Sequence, residues 1–174
     1  MQTDNLDKFS WKSIGNIYDG RPNLGLNTSV EIYRLMLFSI KDVIEKHFGE
    51  EKTRFLLNEA GRISGREFCI NKLNPKLPVN KFMAQLHKEL NNMSVGVLKV
   101  EKFDVENFSL LLTISEDLDC SGIPVSGKTE CSYDEGFLRG IFEQYTGNEI
   151  VVTEIDCWST GDKTCRFSIN RKDK

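Results

Sequence analysis

With 174 residues, 39% of them hydrophobic and 28% charged, the chain is long enough for one domain burying roughly 70% of its unfolded surface without disulfide help. A net charge of −3 with no concentrated basic stripe argues against direct nucleic-acid binding. The longest apolar run, Leu35–Phe38, falls far short of the ~20 residues a membrane span requires.

The N-terminal stretch "MQTDNLDKFSWK" has no basic start leading into an apolar core, so no secretory leader is expected and the predicted location is cytoplasmic. Residues 1–27 read as an irregular arm, dense in turn formers at "DGRPNLG". "TSVE" (28–31) has the spacing of a capping box that opens a helix. Val30, Tyr33, Leu37, Ile40 and Ile44 follow at helical spacing until Gly49. A second helix over about 51–70 carries Phe55, Ala60, Ile63 and Phe68. Gly61 and Gly65 stand one turn apart on it, either for the close approach of another backbone or merely tolerated.

"NPKLP" breaks the chain, and Phe82, Leu86 and Leu90 then mark a third helix. From residue 95 the period becomes two. "VGVLKVEKF" and "FSLLLTI" read as a hairpin around "DVEN", with Phe108, Leu110, Leu112 and Ile114 on one face. After a polar loop over 115–131, "SYDE" (132–135) offers a second capping box for a helix through Phe137, Leu138, Ile141, Phe142 and Tyr145. "EIVVTEI" and "CRFSI" close the chain as two strands. The order α-α-α-β-β-α-β-β predicts an α+β fold, an antiparallel four-stranded sheet with helices packed against it.

The closing turn, "TEIDCWSTGDKTC", sets Glu154, Cys157 and Cys165 close together. A disulfide, a redox pair, unligated buried thiols and an incomplete metal site all fit that segment. Five cysteines in a cytoplasmic chain disfavour a disulfide framework. Cys131, at the start of the last helix, feels the positive end of the helix dipole, which favours the thiolate. Three thiolates and the Glu154 carboxylate would form a closed set of the kind structural zinc occupies. Glu154 and Cys157 are three residues apart and would face opposite sides of a straight strand, so the set requires a bulge or the strand's end near 155–156. Cys69 and Cys120 lie outside this pattern and read as ordinary thiols.

The spacing Cys131-x22-Glu154-x2-Cys157-x7-Cys165, with "GFLRG" (136–140) and "TEIDCWSTGDKTCRFSI", resembles the 4-vinyl reductase domain family. "WKSIGNIYDGRPNLG", "YRLMLFSIKDVI" and "EAGRISGREF" extend the likeness over nearly the whole chain. The same pattern occurs in sensor domains of transcriptional activators that respond to aromatic hydrocarbons. There the four positions corresponding to Cys131, Glu154, Cys157 and Cys165 bind a structural zinc. The fold is shared with a vesicle-tethering subunit and, more distantly, with haem-based gas sensors. The resemblance implies an apolar ligand pocket between helices and sheet, often in a homodimer.

"GRISGRE" is not a dinucleotide fingerprint, and His47 and His87 lack the context of catalytic or haem-ligating residues. No catalytic set is assigned, and a closed zinc site leaves no open position for a substrate. Phe38, Phe55, Phe82, Phe137 and Phe142 are the candidate pocket lining, with loop 115–131 as a lid. Arg62 and Arg66 share a helix face that either meets a ligand carboxylate or is solvated. The expected function is a zinc-stabilised domain that senses or carries an apolar or aromatic small molecule, as a homodimer with the arm 1–27 in its interface. The alternatives are a role in tetrapyrrole vinyl-group reduction, as the family name suggests, and a dimerising scaffold without ligand.

Overall fold

A computed structural model describes residues 9–172. Residues 1–8 of the predicted arm lie outside this range. A 3-10 turn (Trp11–Ile14) and a one-turn helix α1 (Ile17–Gly20) precede three long helices, α2 (Val30–Phe48), α3 (Glu50–Lys72) and α4 (Val79–Asn92). Then come β1 (Val97–Asp104), β2 (Ser109–Ser115), α5 (Ser132–Thr146), β3 (Ile150–Asp156), a 3-10 turn (Trp158–Thr160) and β4 (Cys165–Arg171). The predicted order holds, with short turns added in the arm. The sheet is antiparallel throughout, in the order β1-β2-β4-β3. No helix of the described residues is long and apolar enough to cross a membrane.

Alternation in β2 and β4 drives the core. Leu110, Leu112 and Ile114 face inward beside Phe167 and Ile169, and all five are buried. α4 lays Phe82, Leu86 and Leu90 on the same layer, each 0% exposed, and α5 adds Leu138, Ile141 and Phe142. The rings interlock: Phe82 stacks on Tyr145 with centroids 4.0 Å apart, and Phe142 meets Phe82 and Phe108 edge-on.

α3 lies across the outer side of α5 at unusually short range. A Cβ built on Gly61 would stand 2.0 Å from the Tyr133 carbonyl oxygen, and one on Gly136 would stand 1.9 Å from that of Asn58. Gly65 and Gly140 repeat the pattern one turn on. Of the two readings of the α3 glycines, close approach is correct. It also rotates the helix from the expected face. Thr53, Leu57, Gly61, Gly65, Phe68 and Cys69 turn inward, whereas Phe55 and Ala60 are exposed, because a contact this tight selects the small residues. Arg62 and Arg139 bridge Glu143, and Arg139 also pairs with Glu59, which closes the rim of the two helices.

Both predicted capping boxes differ in detail. Ser29 rather than Thr28 caps α2, accepting from the Ile32 N–H at 3.4 Å. At α5 the cap position is Cys131, and Glu135 does not reach back. Its carboxylate accepts the backbone N–H of Glu154 at 2.7 Å, tying β3 to the helix. Gly49, at φ 80°, ends α2 and starts α3 in one residue.

α2 itself carries no fully buried residue. Tyr33, Leu37, Lys41 and Ile44 are half-buried, while Ile32, Leu35, Met36, Ile40 and Val43 form an exposed stripe.

Candidate metal centre and adjoining cavity

β3 has a register irregularity between Glu154 and Asp156 and ends there. This is the bulge the spacing demanded, and it lets Glu154 and Cys157 turn to the same interior side, 6% and 0% exposed. Cys165 opens β4 across the turn, and Cys131 arrives from the start of α5. The Cys131 Sγ lies 3.7 Å from both Cys157 Sγ and Cys165 Sγ. Four sulfurs tetrahedrally placed at about 2.3 Å from a zinc ion would be about 3.8 Å apart, so these edges match a metal centre. The Ser159 hydroxyl, 3.0 Å from Cys157 Sγ, supports the thiolate.

The fourth sulfur is one that sequence reasoning set aside. Cys120, 1% exposed in loop 116–130, brings its Sγ to 2.9 Å from Cys165 Sγ. All four sulfurs lie within 4.8 Å of one another. None is in a disulfide, and 2.9 Å is well beyond the about 2.05 Å of an S–S bond. Hydrogen bonds from the Cys120, Cys131 and Cys165 thiols push the Cys157 thiol far below its ordinary value, so the cluster favours a thiolate. Buried soft donors of this number and spacing suit zinc better than a hard, oxygen-seeking cation.

Glu154 sits at the cluster's edge. Its Oε2 accepts the Cys131 backbone N–H at 3.1 Å, while its Oε1 is buried without a hydrogen-bond partner. Burial pushes this carboxyl up to about 8. The sequence signal that marked Cys120 was the run Asp117-x-x-Cys120. The Asp117 carboxylate accepts the backbone N–H groups of Asp119 and Cys120 at 2.9 and 3.0 Å, a side-chain turn that aims the thiol inward. Cys69, by contrast, is a buried core thiol apart from the cluster.

Loop 116–130 also faces α2. Tyr33 donates to Asp119 at 2.7 Å, and burial and that carboxylate push the phenol far above its ordinary range. The Arg34 guanidinium donates to the carbonyls of Leu118, Ser121 and Asp117 at 2.7, 2.9 and 3.3 Å. Lys41 pairs with Glu130. Between α2, α3, α5 and this loop lies a small enclosed cavity lined by Leu37, Phe38, Leu57, Cys120, Ile123 and Tyr133. Its volume of about 10 Å³ accommodates one water and no ring.

The five predicted pocket rings do not converge. Phe38 lines this cavity; Phe82 and Phe142 are fully buried in the core. Phe137 packs on Phe68 at 5.2 Å, and Phe55 is 53% exposed beneath the Lys52 ammonium. Helical spacing identified burial for three of the five but could not say which side of a helix meets a void.

Residues 110–171, from β2 through β4, match the family model of the 4-vinyl reductase domain. The resemblance read from the sequence therefore holds over the segment where the residue pattern is densest. MJ1642, an uncharacterized protein of Methanocaldococcus jannaschii, is 25% identical over 150 residues, covering 86% of this chain and 82% of its own. Among solved structures, the phenol-responsive sensory domain of the transcription activator PoxR, with phenol, aligns with a TM-score of 0.64 at 14% identity. That alignment covers 78% of this chain and 73% of that one. A vinyl-4-reductase family protein from Methanocaldococcus jannaschii aligns with a TM-score of 0.61 at 18% identity, over 84% and 83% of the two chains. At these identities the structural matches establish the shared fold.

Proposed function

We propose that this chain, whose residues 110–171 match the 4-vinyl reductase domain, is a zinc-stabilised domain that senses or carries an apolar, aromatic small molecule as a cytoplasmic homodimer. The observation that carries the reading is the buried cluster of thiols directly beneath a loop that also lines a cavity. Cys131, Cys157 and Cys165 hold the ion, and Glu154 and Cys120 are the candidates for the fourth position. A closed set of four protein ligands supplies folding energy and leaves no coordination site for a substrate. The fold shared with a phenol-responsive sensory domain supports an aromatic ligand.

The ligand enters between α2 and the body, against Phe38, in space that opens from the present small cavity. Phe137 and the core rings Phe82 and Phe142 back that wall, and Phe55 stands outside it. A second copy covers the exposed stripe of α2, whose Ile32, Leu35, Met36, Ile40 and Val43 follow the i, i+3, i+4 spacing of a helix–helix seam. Arm residues Leu24 and Leu26, both largely exposed, extend that surface. The small cavity also favours a second reading, a dimerising module that binds no ligand.

Native mass spectrometry of protein purified without chelator tests these together. One zinc per chain, a dimeric mass and added mass from phenol or a similar aromatic are expected. A dimer that never takes up an aromatic supports the second reading, and a metal-free monomer overturns both.

A further inference from the structure

We infer that Cys120 is the fourth ligand of the metal centre, in place of Glu154, and that its ligation ties helix α2 to the rest of the domain. The inference rests on the metal reading above and goes beyond it by choosing between two donors and assigning the choice a consequence.

Geometry separates the donors. The Cys120 sulfur belongs to a set of four within 4.8 Å of one another, whereas the Glu154 carboxylate belongs to no such set among the described residues. Glu154 already has work to do: its Oε2 holds the Cys131 N–H, and its own N–H is held by Glu135. Those two bonds lace β3 to the start of α5 and position Cys131 without requiring the carboxylate to reach an ion. Cys120 has no comparable structural occupation. Its side chain is turned inward by the Asp117 bonds to the loop backbone, and its closest partner is the sulfur of Cys165. Zinc bound by four thiolates is also a more usual structural site than one bound by three thiolates and a carboxylate.

The consequence follows from where α2 is attached. Among the described residues, every side-chain hydrogen bond or ion pair that α2 makes beyond itself falls on residues 117–130. These are Tyr33 to Asp119, Arg34 to the carbonyls of Asp117, Leu118 and Ser121, and Lys41 to Glu130. No residue of α2 is fully buried, so its packing alone holds it weakly. A metal bond at Cys120 fixes this loop at its centre, and the loop in turn fixes Tyr33 and Arg34. Loss of that bond frees the loop and lets α2 lift from the cavity it covers.

Two measurements test the inference on the full chain: cobalt(II) absorption for the ligands, and backbone amide exchange over residues 30–48 for the tether. Wild-type protein should bind one cobalt per chain with thiolate charge-transfer absorption. Cys120→Ser should lower that absorption by about a quarter, one thiolate of four, and Glu154→Gln should leave it unchanged. Exchange over 30–48 should quicken about tenfold in Cys120→Ser, corresponding to roughly 1.4 kcal/mol of lost docking. Arg34→Gln, which leaves the centre intact, should quicken exchange with undiminished cobalt absorption, so the tether stays testable even if Cys120→Ser folds poorly. X-ray absorption of zinc-loaded wild type should give four sulfurs at about 2.3 Å. Three sulfurs and one oxygen, or an unchanged cobalt spectrum in Cys120→Ser, overturns the ligand assignment while leaving the metal reading intact. Unchanged exchange over 30–48 in both variants overturns the tether. Wild-type protein that takes up neither metal overturns the inference together with the reading beneath it.

Discussion

Gly65 of α3 lies directly under the backbone of Phe137 in α5: a Cβ at Gly65 would sit 1.9 Å from the Phe137 carbonyl oxygen. Alanine favours a helix over glycine by about 1 kcal/mol, but here the two backbones would have to separate along their whole contact. Gly65→Ala is therefore expected to lower stability by about 1–3 kcal/mol despite its better propensity, read as a fall in the thermal midpoint. Gly140→Ala, facing the Arg62 carbonyl oxygen at 2.1 Å, should behave alike. A stabilised Gly65→Ala protein would mean that the helices slide apart without cost.

Metal removal should destabilise the domain as a whole, because the donors come from β3, β4, α5 and a loop that meet only on folding. Zinc at a thousandfold excess over its Kd stabilises by about 4 kcal/mol, and a chelator should abolish that gain. Cys131→Ser should lose zinc as measured by elemental analysis, whereas Cys69→Ser should retain it. Equal zinc content in the two variants would remove Cys131 from the centre.

Cys69 tests the same geometry from the other side. It is 0% exposed, and burial pushes its thiol up to about 11. The thiolate is the reactive form, so alkylation of the native protein at pH 8 should spare Cys69 and proceed only on unfolding. Raising the pH toward 11 should speed its labelling. Rapid native labelling at pH 8 would contradict its burial.

An aromatic ligand that fits should stabilise by about 2.7 kcal/mol at a hundredfold excess over Kd. Since the present cavity holds about one water, binding requires enlargement, and Phe38→Ala should make room. The expected outcome is a changed preference toward larger aromatics in a thermal-shift series. An identical series for both proteins would place the ligand elsewhere.

The exposed stripe on α2 predicts self-association. Leu35→Glu and Met36→Glu each place a charge where a second copy would bury an apolar side chain 67% and 57% exposed in the single chain. Light scattering should find dimers for wild type and monomers for the double variant. Dimers in both would move the interface off α2.

Periodicity made most of this legible. Phe82, Leu86 and Leu90 at fourfold spacing and Leu110, Leu112 and Ile114 at twofold spacing all turn to the core, as their patterns required. The bulge near Glu154 followed from strand geometry and one assumed metal. Partners without periodicity were harder to find. Cys120 reaches its cluster from an irregular loop, where separation along the chain carries no distance information. Gly136 and Gly140 stood visible in "GFLRG", but only the docked helices reveal that they interlock with Gly61 and Gly65. α2 misled in a different way, because its apolar residues occupy nearly every face and the periodic set Val30, Tyr33, Leu37, Ile40 and Ile44 is only partly covered.

The glycine contact also sets the timing of assembly on the ribosome. Gly61 and Gly65 leave the exit tunnel about seventy residues before their partners in α5, and β2 must wait for β4 at the very end of the chain. Until the last quarter of the chain has emerged, α3 and the first hairpin present unpaired backbone and bare apolar faces with no core to join. A nascent chain stalled before residue 130 is accordingly a client for holding chaperones, and final compaction becomes a late, nearly post-translational event.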